Sequence, residues 1–201
     1  MIVVVETNFL LELVLQQEQS NACVELRTLC AASEDTHLFV PAFAIAEAGT
    51  VLERRQGERR KFLDESVPKQ VNEIRRSKVL GRYRAILTEL RVELLLAEEQ
   101  ETARWVDLQL SLRDQIIPMT ADMLIDAIST RIGLNLALPD ALVLTSVRHH
   151  LAQIRATSDV PALFVSTDLA GFGTPSVTAY LREVGCRYIN SFANAVEYLR
   201  R

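Results

Sequence analysis

Ile2-Val3-Val4-Val5-Glu6-Thr7-Asn8-Phe9-Leu10-Leu11-Glu12-Leu13-Val14-Leu15 decides the fold class. Four consecutive β-branched residues suit a central strand buried on both faces, as in a parallel sheet. A polar triplet, Glu6-Thr7-Asn8, then leads directly into helical spacing. The same change from strand to helix recurs along the chain. His37-Leu38-Phe39-Val40-Pro41 reads as a second strand, followed by a helix over 42–55 with Phe43, Ile45, Ala46, Val51 and Leu52 on its apolar side. Between these two units, Cys23, Leu26, Leu29 and Cys30 share one face of an amphipathic helix. Further on, Ile116-Ile117-Pro118 reads as a brief extended piece, and Thr120 is placed to cap a helix running to about Ile132 with Asp122 in its first turn. Another helix is expected from Ala141 to Ala152 with Asp140 at its start. Leu163-Phe164-Val165 makes a third convincing strand, ended by Ser166-Thr167-Asp168. A short helix over 176–184, a strand over 187–189 and a closing helix over 191–200 complete the pattern. Such alternation predicts an α/β domain with a small parallel sheet.

With 201 residues, 49% of them apolar and 24% charged, the chain fits one globular domain over 1–201 and not a disordered or fibrous protein. Glycine and proline are scarce, seven and six residues, which predicts long helices. The longest lie over 62–76 and from 82 to about 114, punctuated only by Pro68 and Gly81, so residues 53–115 read as a helical insertion folded as a hairpin. Charge is segregated. Residues 53–91 hold twelve Lys and Arg against six Asp and Glu, whereas the rest of the chain holds ten against twenty. The basic block suits a polyanion, and the acids elsewhere have another task. Cys23, Cys30 and Cys186 form no CxxC pair, which excludes a zinc knuckle or thioredoxin-type centre and predicts reduced thiols. No apolar run approaches the ~20 residues of a membrane span and no basic leader precedes Ile2, so a cytoplasmic protein with no membrane partner is expected.

Four carboxylates stand out. Glu6 ends the first strand, Asp168 ends the third convincing one, and Asp140 follows Pro139 at a helix start. Glu47 lies on the helix after the second strand amid small apolar residues, where an unpartnered carboxylate is costly. Groups at the carboxyl ends of parallel strands converge on one crevice. Four acids there repel unless a divalent cation neutralises them, and all-oxygen ligation suits Mg²⁺ or Mn²⁺ rather than zinc. Such a centre activates water and stabilises a departing oxygen in phosphodiester hydrolysis. Each acid also admits a local reading as a cap or salt-bridge partner. His149-His150 follow Asp140 by nearly three turns and read as a satisfied pair, Trp105 as a core anchor, Ser166 as a hydrogen-bonding group, and Gly171-Phe172-Gly173 as a turn. Leu87, Leu90, Leu94, Leu95 and Leu96 give the insertion an apolar face suited to a partner helix or second subunit.

Taken in order, Val3 to Leu11, Val40 to Glu47, Leu136 to Leu142 and Phe164 to Phe172 resemble the four acidic motifs of the PIN-domain nucleases. The resemblance covers residues 1 to 172 apart from the insertion, which is longer than in the compact VapC-like toxins of that family. It implies a PIN-like three-layer α/β/α fold and a metal-dependent endoribonuclease acting on single-stranded RNA, the toxin of a toxin–antitoxin pair. Carried over by position, Glu6, Glu47, Asp140 and Asp168 are the catalytic acids, and Glu6, Asp140 and Asp168 the ligands of Mg²⁺ or Mn²⁺. Thr7 and Asn8 orient the first acid, and Thr167 steadies the last. In this setting Arg54, Arg55, Arg59, Arg60 and Lys61, which follow the helix of Glu47, are expected to contact RNA phosphates. An antitoxin or other protein, or a second copy of the chain, is the expected protein partner. The departure from the pattern is Glu6, where the family has aspartate. An added methylene moves the carboxylate by over ~1 Å, and a misplacement of that size costs ~10²-fold in rate. The competing reading is therefore a catalytically impaired PIN-like module that binds RNA or protein.

Overall fold

The computed structural model describes residues 1–77, 79–156 and 160–201, so Lys78 of the basic block lies outside the described residues. The chain divides into two compact units, one of Met1–Ala48 with Gln109–Arg201 and one of Gly49–Leu108. The second unit holds most of the expected insertion, while residues 109–115 belong to the first.

The first unit is an α/β domain built on five strands, β1 (Ile2–Val5), β2 (His37–Pro41), β3 (Ile116–Ile117), β4 (Ala162–Val165) and β5 (Cys186–Ile189). All are parallel, in the order β3-β2-β1-β4-β5. In chain order the helices are α1 (Thr7–Leu15), α2 (Ser20–Ala32), α3 (Ala42–Lys61), α4 (Val67–Arg76), α5 (Arg84–Ser111), α6 (Ala121–Leu134), α7 (Leu138–Arg155), α8 (Leu169–Phe172), α9 (Pro175–Glu183) and α10 (Phe192–Leu199).

Strand order explains the layers. From β1 the chain steps one way to β2 and β3, then passes back over β1 to β4 and steps the other way to β5. Parallel crossovers are right-handed, so a reversal of travel moves the connecting helices to the opposite face. Ile2 and Val4 of β1 accordingly share a core cluster with Met123 of α6, Leu144 and Val147 of α7, and Val177 and Leu181 of α9. On the other face α2 packs with α1 and α10, and Phe9 meets Phe192 edge-on with ring centroids 5.6 Å apart. Every residue of β1 and β4 is buried, as the β-branched run of the first strand requires.

Several local expectations need correcting. Ile116-Ile117 is an edge strand, its register Val40 to Ile116 and Pro41 to Ile117. Two residues are too few to show strand periodicity. Helix α3 continues past Arg55 to Lys61, through Gly57, carried by the helix formers Glu58, Arg59, Arg60 and Lys61 around it. A π-helical turn over Phe62–Ser66 precedes α4, and a 3₁₀ turn over Gly81–Tyr83 precedes α5. Helix α7 begins at Leu138 with Pro139 in its first turn, where a missing N–H costs nothing. Neither Glu6 nor Asp168 ends a strand: Glu6 caps α1, and Asp168 caps the short helix α8. Thr120 caps α6 as expected, accepting from the Met123 N–H.

In the second unit Leu52, Leu63, Val67 and Leu108 are buried. Trp105 packs over Gly49, with its ring 3.5 Å from the position a Cβ would take. Of the expected apolar face, Leu90, Leu95 and Leu96 are exposed, joined by Ile86 and Val92, while Leu87 and Leu94 are half-buried. No single helix among the described residues is long and apolar enough to cross a membrane. The three cysteines are free and buried, and burial pushes the thiols up, to about 11 for Cys30 and about 12 for Cys186.

Phe192 is fully buried against α1. Replacing it by alanine is expected to cost about 3–5 kcal/mol, read as a lowered denaturant midpoint at an unchanged slope.

Candidate functional site

The point at which strand order reverses lies between β1 and β4, and a crevice outside the carboxyl ends of those strands is the usual ligand site of an open parallel sheet. Glu6 follows β1 and Asp168 follows β4. Glu47 reaches the same region from α3, and Asp140 from the first turn of α7. All four expected acids are therefore gathered.

Glu6 is buried, 4% exposed. Its Oε2 accepts the Asn8 N–H at 2.8 Å, the N-cap bond of α1, while Oε1 is buried with no hydrogen-bond partner. Burial is the main influence on its carboxyl pKa, pushed up from the ordinary 4.5 to about 7, against the Asn8 N–H and the nearby Ser166 hydroxyl, which favour the charged form. The charges of Glu47 and Asp168 raise it further. Asp140 is pushed up to about 6, first by burial and then by Asp168 and Glu47. Thr7 donates its hydroxyl to Glu47 Oε2 and so ties α1 to α3. Thr7 thus orients the second acid, and the first is held by the backbone of Asn8.

Asp168 Oδ1 accepts the Gly171 N–H at 2.9 Å. The Asp168 N–H in turn donates to Ser166 Oγ at 3.0 Å. The steadying role expected of Thr167 thus falls to Ser166, which is fully buried. Two contributors escaped the sequence reading. The Tyr188 hydroxyl donates to the Ser166 carbonyl at 3.0 Å, and burial together with the Asp168 and Glu6 charges pushes that phenol up to about 12. A Cβ on Gly171 would sit 2.8 Å from Asp168 Oδ2 and 3.1 Å from Asp140 Oδ2. Both carboxylates therefore close on one spot that only a glycine leaves open. The glycine was visible in the sequence; its neighbours were not.

The donors are all oxygen, one buried carboxylate oxygen is unpartnered, and the charges acting on Asp140 are those of other acids. Donor set and charge therefore fit a hard divalent cation. Among the described residues, however, no three His, Cys, Asp or Glu side chains form a ready-made metal cage.

Of the expected RNA contacts, Arg54, Arg55 and Lys61 are exposed. Arg59 and Arg60 are engaged. Arg59 makes a two-pronged bond to Glu101 at 3.0 and 3.1 Å, and Arg60 pairs with Glu98; both glutamates are buried. A buried carboxylate needs its cation, so these two arginines serve the second unit first. His149 pairs with Asp126 at 2.7 Å, and His150 meets Phe39 edge-on, which leaves neither near the four acids.

Ionising Glu6 costs stability, because the folded chain holds its proton to a higher pH than the unfolded chain does. The cost is absent below pH 4.5 and complete above about 7, roughly 3 kcal/mol for a shift of this size. Glu6→Gln in chelator is expected to melt higher than wild type at pH 8, with the gap closing by pH 4; thermal melts across that range check it. Comparison with protein-family models, curated proteins and solved structures finds no match to the chain, so its own residues carry the functional reading.

Proposed function

We propose that the acidic crevice is the active centre of a PIN-like, metal-dependent endoribonuclease that hydrolyses phosphodiester bonds of single-stranded RNA. The observation that carries the reading is the gathering of Glu6, Glu47, Asp140 and Asp168 from four separate elements at the strand reversal, with Glu6 Oε1 buried and unpartnered. Glu6, Asp140 and Asp168 would hold Mg²⁺ or Mn²⁺. When bound, the ion supplies Lewis-acid polarisation of the phosphoryl group and a lowered pKa for water. In the reaction the hydroxyl of water joins phosphorus, one P–O bond to the leaving nucleotide breaks, and the water proton passes to the departing oxygen. Glu47, fixed by Thr7, and Asp168, fixed by Gly171 and Ser166, orient the groups around that exchange. Exposed Arg54, Arg55 and Lys61 suit non-specific phosphate contact.

The second reading is a PIN-like module that binds RNA or protein with its catalysis impaired by the longer Glu6 side chain. An antitoxin remains a proposed partner under the first reading. A second copy is the partner best supported by α6, whose outer face exposes Leu124, Ile125, Ile128 and Ile132, with Arg131 at its margin.

Asp140→Asn is expected to lower cleavage of a fluorescent RNA oligonucleotide in Mn²⁺ by ~10²-fold or more, and chelator to abolish it. Wild-type rates in that variant overturn the assignment. RNA binding without cleavage in wild type, with cleavage gained in Glu6→Asp, establishes the impaired module instead. Ile128→Glu is expected to convert a dimer to a monomer in sedimentation equilibrium.

A further inference from the structure

The edge of the sheet at β5 carries a second site. β5 pairs with β4 along Cys186–Ile189 and, among the described residues, has no strand on its other side. Such an edge presents backbone N–H and C=O groups that template another extended chain. At the opposite edge β3 is only two residues long and offers little ladder. Cavities flank β5 on both faces. One of about 290 Å³ lies against α10 and includes Arg187, Asn194, Glu197, Tyr198 and Arg201 in its lining. The other, of about 590 Å³, lies against α9 and includes Thr178, Arg182 and Arg187. Side chains of an added strand point alternately to the two faces of a sheet, so cavities on both faces at one edge match what strand addition requires.

Charge selects the occupant. Arg182, Arg187 and Arg201 line these cavities against the single carboxylate of Glu197, while neighbouring Glu183 is paired with Arg148 at 3.4 Å. This basic strip lies on a part of the chain that is otherwise acidic. The Arg187 guanidinium sits 5.1 Å above the Tyr198 ring centroid, a stacking that orients the fork and leaves its in-plane N–H groups for a carboxylate. A second copy pairing β5 to β5 would set like charges against each other at Arg187. We propose that the β5 edge docks an extended, acidic peptide segment of another protein by strand addition, its carboxylates meeting Arg182, Arg187 and Arg201. The site adjoins the acidic crevice at Tyr188, which lines both cavities and donates to the Ser166 carbonyl, but its docking groups are other residues and it does not depend on the chemistry of the four acids.

The test is fluorescence anisotropy of the full chain with a short tagged peptide of repeated Glu-Glu-Val-Val, which as a strand carries carboxylates on both faces. Binding is expected, weakened at least about tenfold by Arg187→Glu and by a lysine-for-glutamate peptide. The same peptide N-methylated at alternate backbone amides is expected to lose binding to unaltered protein, which reads the ladder without depending on the fold of a variant. Equal binding of the N-methylated peptide, an unchanged Kd in Arg187→Glu, or no peptide binding overturns the proposal. So does finding that Arg187 instead governs binding of oligouridylate or dimerisation in sedimentation.

Discussion

Gathering Glu6, Glu47, Asp140 and Asp168 at one end of a buried sheet places four negative charges where water is scarce, and the local architecture answers that cost piece by piece. Glu6 and Asp168 cap helices, and Asp140 stands in the first turn of a third, so three helix N-termini present partial positive charge to the crevice. Backbone N–H groups of Asn8 and Gly171 and the Thr7 hydroxyl bond directly to carboxylate oxygens. The compensation stops short. Glu6 and Asp140 stay raised, and one Glu6 oxygen has no partner. An acidic cleft that a fold only partly neutralises is suited to a cation that completes it.

The crevice owes its place to strand order rather than to any one residue. Because β1 and β4 are neighbours whose following connections depart to opposite faces, their carboxyl ends are left uncovered between two helical layers. α1 and α8 start there, and their caps are the acids themselves.

How much of this was legible follows from the range of each signal. The β-branched run at Ile2–Val5 and the alternation after it speak within a few residues, and they gave the parallel α/β class. Glu6, Asp140 and Asp168 were legible because each sits just past a strand or at a helix start, and Glu47 because a carboxylate stands out among the small apolar residues of α3. β3 was legible only as an extended piece, since Ile116-Ile117 joins the sheet by pairing with Val40-Pro41. Ser166 was legible as a hydrogen-bonding neighbour of Asp168, whereas Tyr188 and Gly171 lay out of reach. Their roles rest on bonds and approaches spanning up to 31 residues of chain, as between Gly171 and Asp140, and no local pattern encodes those. The basic block shows the converse: its composition pointed outward to a polyanion, yet Arg59 and Arg60 are spent on Glu101 and Glu98.

The buried thiols have a use of their own. Cys23 and Cys30 lie on α2 and Cys186 on β5, all free and all held in the protonated form by burial. A thiol so shielded reacts with an alkylating reagent only when the structure around it opens. The chain thus carries two native clocks of local opening, one in the helical layer over β1 and one at the free edge of the sheet, readable by mass without adding a single label.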